Sequence, residues 1–369
     1  MSNRVAIVTV YKNANYGSKL QSFALQRTVA SLGYYPENLA VFPGNNKKRS
    51  RIRRMLRNPL SSIDFMRKYI HRNKIRARSS LFDSYLAQFI NESNCSTREV
   101  ENLIRNGSDP YYKYICGSDQ IWAPNQFCSD FFLGFVSNKD SKIAYAPSIG
   151  LPRIPSELQD SYRQLISNIK FVSIREEDGA RLVYELTKKE IEVVLDPTLL
   201  LSGIEWRMHS LEPDLDHPYI LCYFLGYDRE YRKWVEELGR RTGFQLVVLP
   251  FNTKDYTWGD HRIFKAGPRE FLGLIDKANY VCTDSYHGVL LSLNLEKEFF
   301  PFLRFRHNDP LNQNSRVLNF LSRIDLAERI VDPHKSVDYG QIDWERVRRT
   351  IRDERRKSIA FLQRALNTQ

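Results

Sequence analysis

The chain has 369 residues, 42% apolar and 27% charged, a length that predicts two domains and a composition that fills cores and excludes a disordered chain. No apolar run is long enough to span a bilayer, and Met1–Val8 lacks the apolar region and cleavage site of a signal peptide, so a cytoplasmic protein is expected. The net charge of +12 is local: Lys47–Arg78 holds 13 Lys or Arg against one acid, Asp64, which speaks for a local anionic partner and against a uniformly basic nucleic-acid surface.

Short apolar runs alternate with amphipathic stretches, the pattern of an α/β protein with mostly parallel sheets. Val5–Val10 reads as a strand and Ser18–Leu32 as a helix with Gly33 at its C-terminal cap. Asn38–Phe42 is a second strand. The basic insert 47–78 follows, with Ile52, Met55, Leu56, Leu60, Ile63, Phe65, Met66, Tyr69 and Ile70 interleaved among its cations and Pro59 dividing any single helix. Apolar residues among cations are the composition of an interfacial membrane segment; the alternative is a solvated insert packed on the first domain. Strands are then expected at Tyr114–Cys116, Ile143–Ala146, Phe171–Ile174 and Ile191–Leu195, with a helix over Glu176–Thr187. Pro197 and the stretch Ser202–Pro218 break the pattern. Beyond it Tyr219–Leu225, Phe244–Leu249 and Tyr280–Cys282 read as strands, and Glu230–Thr242, Pro268–Ala278 and Val289–Leu293 as helices. The spacing of Trp344, Val347 and Ile351 predicts a terminal helix over Trp344–Leu366. The expected organisation is a Rossmann-like domain over 1–202, a linker over 203–218, a second Rossmann-like domain over 219–335, and a helix within 340–369 that crosses back onto the first domain.

Open α/β sheets bind ligands at the carboxyl ends of their strands, and polar turns recur there in this chain. They are Tyr11–Ser18, Gly117–Trp122, Ala146–Gly150, Arg175–Asp178 and Thr283–Gly288. His287 lies between a strand and a helix start, where free backbone N–H groups and the helix dipole favour an anion. The alternative is a packing histidine in a tight turn. Arg175 at a strand end offers a planar fork for a carboxylate or phosphate; the alternative is a salt bridge to Glu176, Glu177 or Asp178. Asp119 suits a base for a hydroxyl, or an N-cap at a helix start. Asn15 and Gly17 are expected to shape a turn near the ligand, Gly17 through an unusual φ. That turn lacks GxGxxG spacing, so no dinucleotide site is expected. Asp196-Pro197 reads as a structural strand end. The cysteines Cys95, Cys116, Cys128, Cys222 and Cys282 are odd in number without a CxxC spacing, which fits buried thiols. No HExxH or paired-His pattern occurs, so no metal is expected.

The ordered set of segments resembles the polysaccharide pyruvyl transferase family. The resemblance rests on Asn15-Tyr16-Gly17 with Leu20–Leu25 after it, Gly117-Ser118-Asp119-Gln120-Ile121-Trp122, Tyr145–Gly150 and Ser173-Ile174-Arg175-Glu176. Asp196–Leu200 and Thr283-Asp284-Ser285-Tyr286-His287-Gly288 complete it. It implies a glycosyltransferase B-like fold, two Rossmann-like domains facing a central cleft, and phosphoenolpyruvate as a co-substrate with no cofactor. Its product would be a ketal-linked pyruvate on a sugar of capsule or exopolysaccharide, such as a galactose-type residue of a lipid-linked oligosaccharide. On this reading His287, Asp119 and Arg175 are catalytic. Arg175 serves the donor from the first domain across the cleft, and Ser285, His287, Gly288, Arg304 and Arg316, with Arg306 as a further candidate, serve it from the second domain's side. Asn15, Tyr16, Gly17, Ser118 and Trp122 serve the acceptor. The basic insert would place the enzyme at the inner face of an anionic plasma membrane, and no nucleic acid is expected. The alternatives are a nucleotide-sugar glycosyltransferase of the same fold and a non-catalytic carbohydrate-binding or membrane-binding relative.

Overall fold

The computed structural model describes residues 3–41, 60–306, 308–309, 311–335 and 339–368. The part of the basic insert before residue 60, with Ile52, Met55, Leu56, Pro59 and seven of its cations, lies outside the described residues.

The chain opens on strand β1 (Arg4–Val8), whose Val5–Val8 are wholly buried, as expected of a strand covered on both faces. Helix α1 (Tyr16–Ser31) follows, then β2 (Tyr35–Ala40). The insert enters as helices α2 (Leu60–Ile70) and α3 (Arg72–Phe89). Next come β3 (Glu92–Ser96), α4 (Thr97–Arg105) with a Ser96/Glu99 capping box, β4 (Lys113–Cys116), β5 (Lys142–Ala144) and α5 (Ser156–Ser167). Strand β6 (Phe171–Ile174), helix α6 (Glu177–Thr187) and strand β7 (Glu192–Val193) complete a seven-stranded sheet of order β3-β2-β1-β4-β5-β6-β7. Its strand pairings are all parallel. The predicted linker 203–218 contains a helix, α7 (Gly203–His209), opened by a Ser202/Glu205 capping box.

The second sheet takes β8 (Tyr219–Tyr223), α8 (Arg229–Thr242), β9 (Gln245–Val248), β10 (His261–Arg262), α9 (Pro268–Lys277), β11 (Tyr280–Thr283), α10 (Tyr286–Asn294) and β12 (Glu298–Pro301). Its five strands are parallel in the order β10-β9-β8-β11-β12. Helix α11 (Ser315–Arg323) and the long α12 (Trp344–Asn367) follow. Two doubly wound sheets in series give the glycosyltransferase B-like α/β architecture expected.

Two elements tie the halves together. Helix α1 buries 13 of its 16 residues, because it is covered on one side by its own sheet and on the other by the second domain. Tyr16 stacks on Phe271 at 4.4 Å, and Phe23 and Trp206 lie 5.9 Å apart in the same core as Tyr219, Leu221 and Tyr223. Helix α12 straddles the join. Val347 and Ile351 belong to the second domain's core, while Phe361, Leu362, Ala365 and Leu366 cover Val5, Ile7, Ile115 and Ile143 of the first sheet. Each large apolar side chain buried this way contributes about 1.5–3 kcal/mol.

The described part of the insert packs on the second domain. The Thr253 hydroxyl donates to Asp64, His71 stacks on Phe264 at 4.9 Å, and Arg78 Nε donates to the Phe264 carbonyl at 3.2 Å. Phe82 and Tyr85 of α3 are buried in the shared core. A segment inserted in the first domain's sequence therefore acts as a brace against the second.

Candidate active site

In each sheet the strand order reverses beside one pair of neighbours, β1/β4 in the first and β8/β11 in the second, and crevices form outside the carboxyl ends of such pairs. The two crevices face one cavity of about 150 Å³. Val10, Asn13, Asn15, Ser18, Asp119, Gln120 and Gln126 line it from the first domain; Leu225, Ser285, Tyr286, His287, Arg304 and Arg316 line it from the second. A mostly apolar cavity of about 270 Å³ lies at the far end of α10, among residues of α7 and α12, away from these strand ends.

Two helix N-termini converge on the cavity. Asn15 caps α1 by accepting from Ser18 N at 3.1 Å, and Ser285 caps α10 by accepting from Gly288 N at 3.3 Å. Both present the positive end of a helix dipole. His287 is the second residue of α10. Its ring lies against Gly17 at the start of α1, so close that a Cβ on Gly17 would collide with Nδ1. Gly17 has no positive φ; it is a glycine because the imidazole takes the space of its side chain.

Behind His287 stands a buried carboxylate. Asp196 Oδ2 is 3.4 Å from His287 Nε2 and accepts from Arg175 Nη1 at 2.7 Å. Its Oδ1 accepts from Thr198 N at 3.0 Å and Thr198 Oγ1 at 2.7 Å. Burial raises the Asp196 carboxyl's pKa, but the adjacent His287 imidazole, the charge of Arg175 and the Thr198 amide outweigh it and hold the group well below the usual carboxylate range. Arg175 is itself buried, with its guanidinium 4.5 Å from the Tyr286 ring centre, and its Nε and Nη2 make no hydrogen bond. Its main partner is Asp196, not the neighbouring acids expected from sequence: Glu176 Oε2 is 3.8 Å away. Glu176 instead accepts through Oε1 from Ser148 Oγ, Ile149 N and Gly150 N. Burial pushes its pKa above the ordinary value.

Arg316 and Arg304 supply the cavity wall's cations. Arg316 is almost fully buried, donates to Gln313 at 3.0 Å, and has its pKa pulled down to about 10, by burial first and then by the positive charges of Arg175 and Arg304. Arg304 Nη2 donates to the Asp284 carbonyl at 3.0 Å. The Asp284 carboxylate is spent on Leu225 N (2.6 Å) and Gly226 N (2.8 Å), which fixes the β8 turn opposite α10. Arg304 Nε, His287 Nε2 and Gln120 Nε2 are buried without a hydrogen-bond partner. On the first domain's side, Asp119 Oδ2 accepts from Ser18 Oγ at 2.6 Å and Oδ1 from Gln120 N at 2.9 Å. No helix begins at Asp119, so it is not an N-cap; it holds a left-handed backbone at φ 70°.

The sequence-predicted residues divide cleanly. His287, Asp119, Ser285, Arg304, Arg316 and Asn15 reach the cavity. Gly17 backs His287, and Arg175 stands one layer deeper behind Tyr286 and Asp196. Tyr16 faces the interdomain core and donates to the Ala266 carbonyl at 2.8 Å. Trp122 is wholly buried against Phe132, and the Ser118 hydroxyl is donated to the Ala146 carbonyl. Gly288 sits where a Cβ would meet Thr283 Oγ1 at 2.7 Å, and Arg306 is exposed outside the cavity lining. Asp196, Ser18, Gln120 and Tyr286 were not expected at the site. All four lie beside motif residues, and the signal for each was its place next to a strand end.

A family profile described as polysaccharide pyruvyl transferase matches residues 15–304, which spans every residue of the cavity except Val10, Asn13 and Arg316. The chain belongs to the polysaccharide pyruvyl transferase family. Membership makes it a pyruvyl-transferring enzyme of polysaccharide biosynthesis with a sugar or polysaccharide acceptor. No curated protein matches the chain. Among solved structures it is similar to UDP-GlcNAc 2-epimerase from Neisseria meningitidis bound to UDP-GlcNAc, at 12% identity and a TM-score of 0.49, covering 98% of this chain and 99% of that one. It is also similar to the E. coli ADP-heptose lps heptosyltransferase II (12% identity, TM-score 0.36, 96% and 99% covered). A third is the glycosyltransferase SnogD from Streptomyces nogalater (12%, 0.40, 99% and 95%). No helix among the described residues is long and apolar enough to cross a membrane.

Proposed function

We propose that this enzyme moves the pyruvyl group of phosphoenolpyruvate onto two hydroxyls of one sugar, forming a ketal and releasing phosphate. The observation that carries the reading is the convergence of two helix N-termini, Arg304, Arg316 and His287 on one small polar cavity. Arg316 is buried without an ion-pair partner among the described residues, a costly state that a compact dianion or trianion would offset. A cavity of about 150 Å³ suits a three-carbon phosphate ester. Sites for larger ligands run to roughly 300–1,000 Å³, so a nucleotide-sugar fits this one poorly.

The chemistry assigns the roles. Protonating the methylene carbon of phosphoenolpyruvate creates an oxocarbenium-like centre beside the carboxylate. One sugar hydroxyl adds, phosphate leaves, and a second hydroxyl closes the ketal. Of the two hydroxyl protons, one balances the new methyl group and the other leaves with phosphate. Arg304, Arg316, Ser285 and the α10 N-terminus hold the donor's anionic groups. His287 stands at the phosphate, where it binds the anion and passes a proton. Asp119 accepts a hydroxyl proton from the acceptor side, with Ser18 fixing its carboxylate and Asn15 beside it. Asp196 orients the imidazole, and Arg175 acts through Asp196. The donor's charge is met by the protein's own cations, so no metal or organic cofactor is called for. The acceptor is a sugar of a lipid-linked oligosaccharide on the cytoplasmic side, in capsule or exopolysaccharide synthesis.

The test is calorimetric titration with phosphoenolpyruvate and with nucleotide-sugars, followed by phosphate release across a panel of lipid-linked saccharides. Heat with phosphoenolpyruvate alone, and acceptor-dependent phosphate release, are expected. Binding of a nucleotide-sugar in preference to phosphoenolpyruvate would replace this reading with that of a glycosyltransferase.

A further inference from the structure

Helix α2 leaves an apolar face without a partner. Met66, Tyr69 and Ile70 are 63%, 57% and 68% exposed. Their spacing puts all three on one side of the helix. The helix is not free to bury them by turning. Asp64 is tied to Thr253, His71 at its end stacks on Phe264 (4.9 Å) and meets Tyr256 edge-on (4.8 Å), and Arg78 is bonded to Phe264. The brace that holds α2 on the second domain therefore also holds this face outward.

The charge around that face is of one sign. Arg67, Lys68, Arg72, Lys74 and Arg76 surround it on α2 and the first turns of α3, and none pairs with a carboxylate among the described residues. Arg72 lies over the Tyr69 ring at 4.3 Å, and Lys74 over Phe264 at 4.9 Å. The acid of the segment, Asp64, is engaged with Thr253. An acidic protein would meet the cations but leave the apolar stripe exposed, and a nucleic acid backbone would do the same. A surface with anionic groups over an apolar interior meets both.

We propose that α2 and the start of α3 dock the protein on an anionic lipid bilayer, with Met66, Tyr69 and Ile70 entering the interface and the five cations contacting headgroups. This does not rest on the donor chemistry above. It would succeed or fail whatever the cavity binds.

Co-sedimentation of the full chain with vesicles tests it, using pure phosphatidylcholine and phosphatidylcholine with 30% phosphatidylserine as the two arms, an estimate in the physiological range of roughly tens of per cent anionic lipid. Binding is expected only to the anionic vesicles, weakening at least about tenfold between 0.1 and 0.5 M salt, concentrations chosen to shorten the Debye length from about 10 Å. The triple variant Met66→Ser/Tyr69→Ser/Ile70→Ser should lose binding. Each Gln replacement of Arg67, Lys68 or Arg72 should cost about fivefold. Lys68 and Arg72 are exposed and Arg67 is half-buried, so the Lys68 and Arg72 variants should melt with the parent protein. Equal binding to both vesicle types, or binding to an anionic duplex DNA but not to vesicles, would overturn the proposal. So would a serine triple variant that binds as the parent does.

Discussion

The imidazole of His287, from the second domain, occupies the space that a side chain on Gly17 of the first domain would need. The two residues are 270 positions apart by number, and neither can change size without the other. Gly17→Ala should therefore push the imidazole off the cavity wall. It should cost about 1–3 kcal/mol of stability, as overpacking does, together with most of the activity. In a His287→Ala background the same change should be nearly free in stability. Urea unfolding of the two singles and the double measures the coupling; an equal Gly17→Ala penalty in both backgrounds would show that the ring is not the obstacle.

Asp196 joins Arg175 at 2.7 Å and His287 at 3.4 Å with no exposed surface of its own. Breaking one side of a buried pair typically costs about 3–5 kcal/mol, because the remaining charge stays buried. Asp196→Asn and Arg175→Ala should both destabilise on that scale. Stability alone does not separate structure from positioning. The pH profile of kcat/KM does: Asp196→Asn should move it, while a destabilised core variant such as Val281→Ala should leave it in place. Arg175→Lys should recover only part of the loss, since an ammonium lacks the planar fork.

Asp119 accepts from Ser18 Oγ and the Gln120 amide at the cavity wall. If its carboxylate takes the acceptor's proton, Asp119→Asn should lower turnover roughly 10²–10⁴-fold with phosphoenolpyruvate affinity nearly unchanged. A near-normal rate, with the variant folded, would leave Asp119 only the task of shaping its left-handed turn.

His209 gives the protein an acid-side weakness. Its ring is stacked on Phe23 at 4.2 Å and its Nε2 lies 2.9 Å from the Tyr85 hydroxyl. Burial, then the charges of Arg269 and Arg27, bring its pKa down from 6.5 to about 4. The folded state thus binds fewer protons than the unfolded state between these values, so stability rises with pH through that window. The contribution is complete above about pH 6.5 and is lost as pH falls towards 4. After allowance for partial exposure the swing is about 1–2 kcal/mol. Melting curves from pH 4 to 7 should show a shallower slope in His209→Gln than in the parent; identical slopes would assign the acid sensitivity to carboxylates instead.

The local features of this protein follow from its sequence because their causes are local. The apolar run at β1, the helix at α8 and the glycine after α1 were legible, since period and capping depend on neighbours a few residues away. Strands β3 and β10 were not, because they carry little apolar pattern: Glu92–Ser96 is ESNCS and His261–Arg262 is two exposed residues; β12, the four residues EFFP, is apolar but too short to show a period. The motif turns were legible as ligand-facing through their order after the strands. Their depth was not. Tyr16 and Trp122 share those turns yet point into cores, because which side of a turn faces the cleft depends on what packs behind it. Asp196 looked like a strand end and proved to be the link between Arg175 and His287, a relation made only when the second domain closes over the first. The concentrated charge of the insert was plain in the sequence. That its helices brace the second domain and turn Met66, Tyr69 and Ile70 outward was decided by contacts with Thr253, Tyr256 and Phe264, nearly 200 positions away, which no local pattern can report.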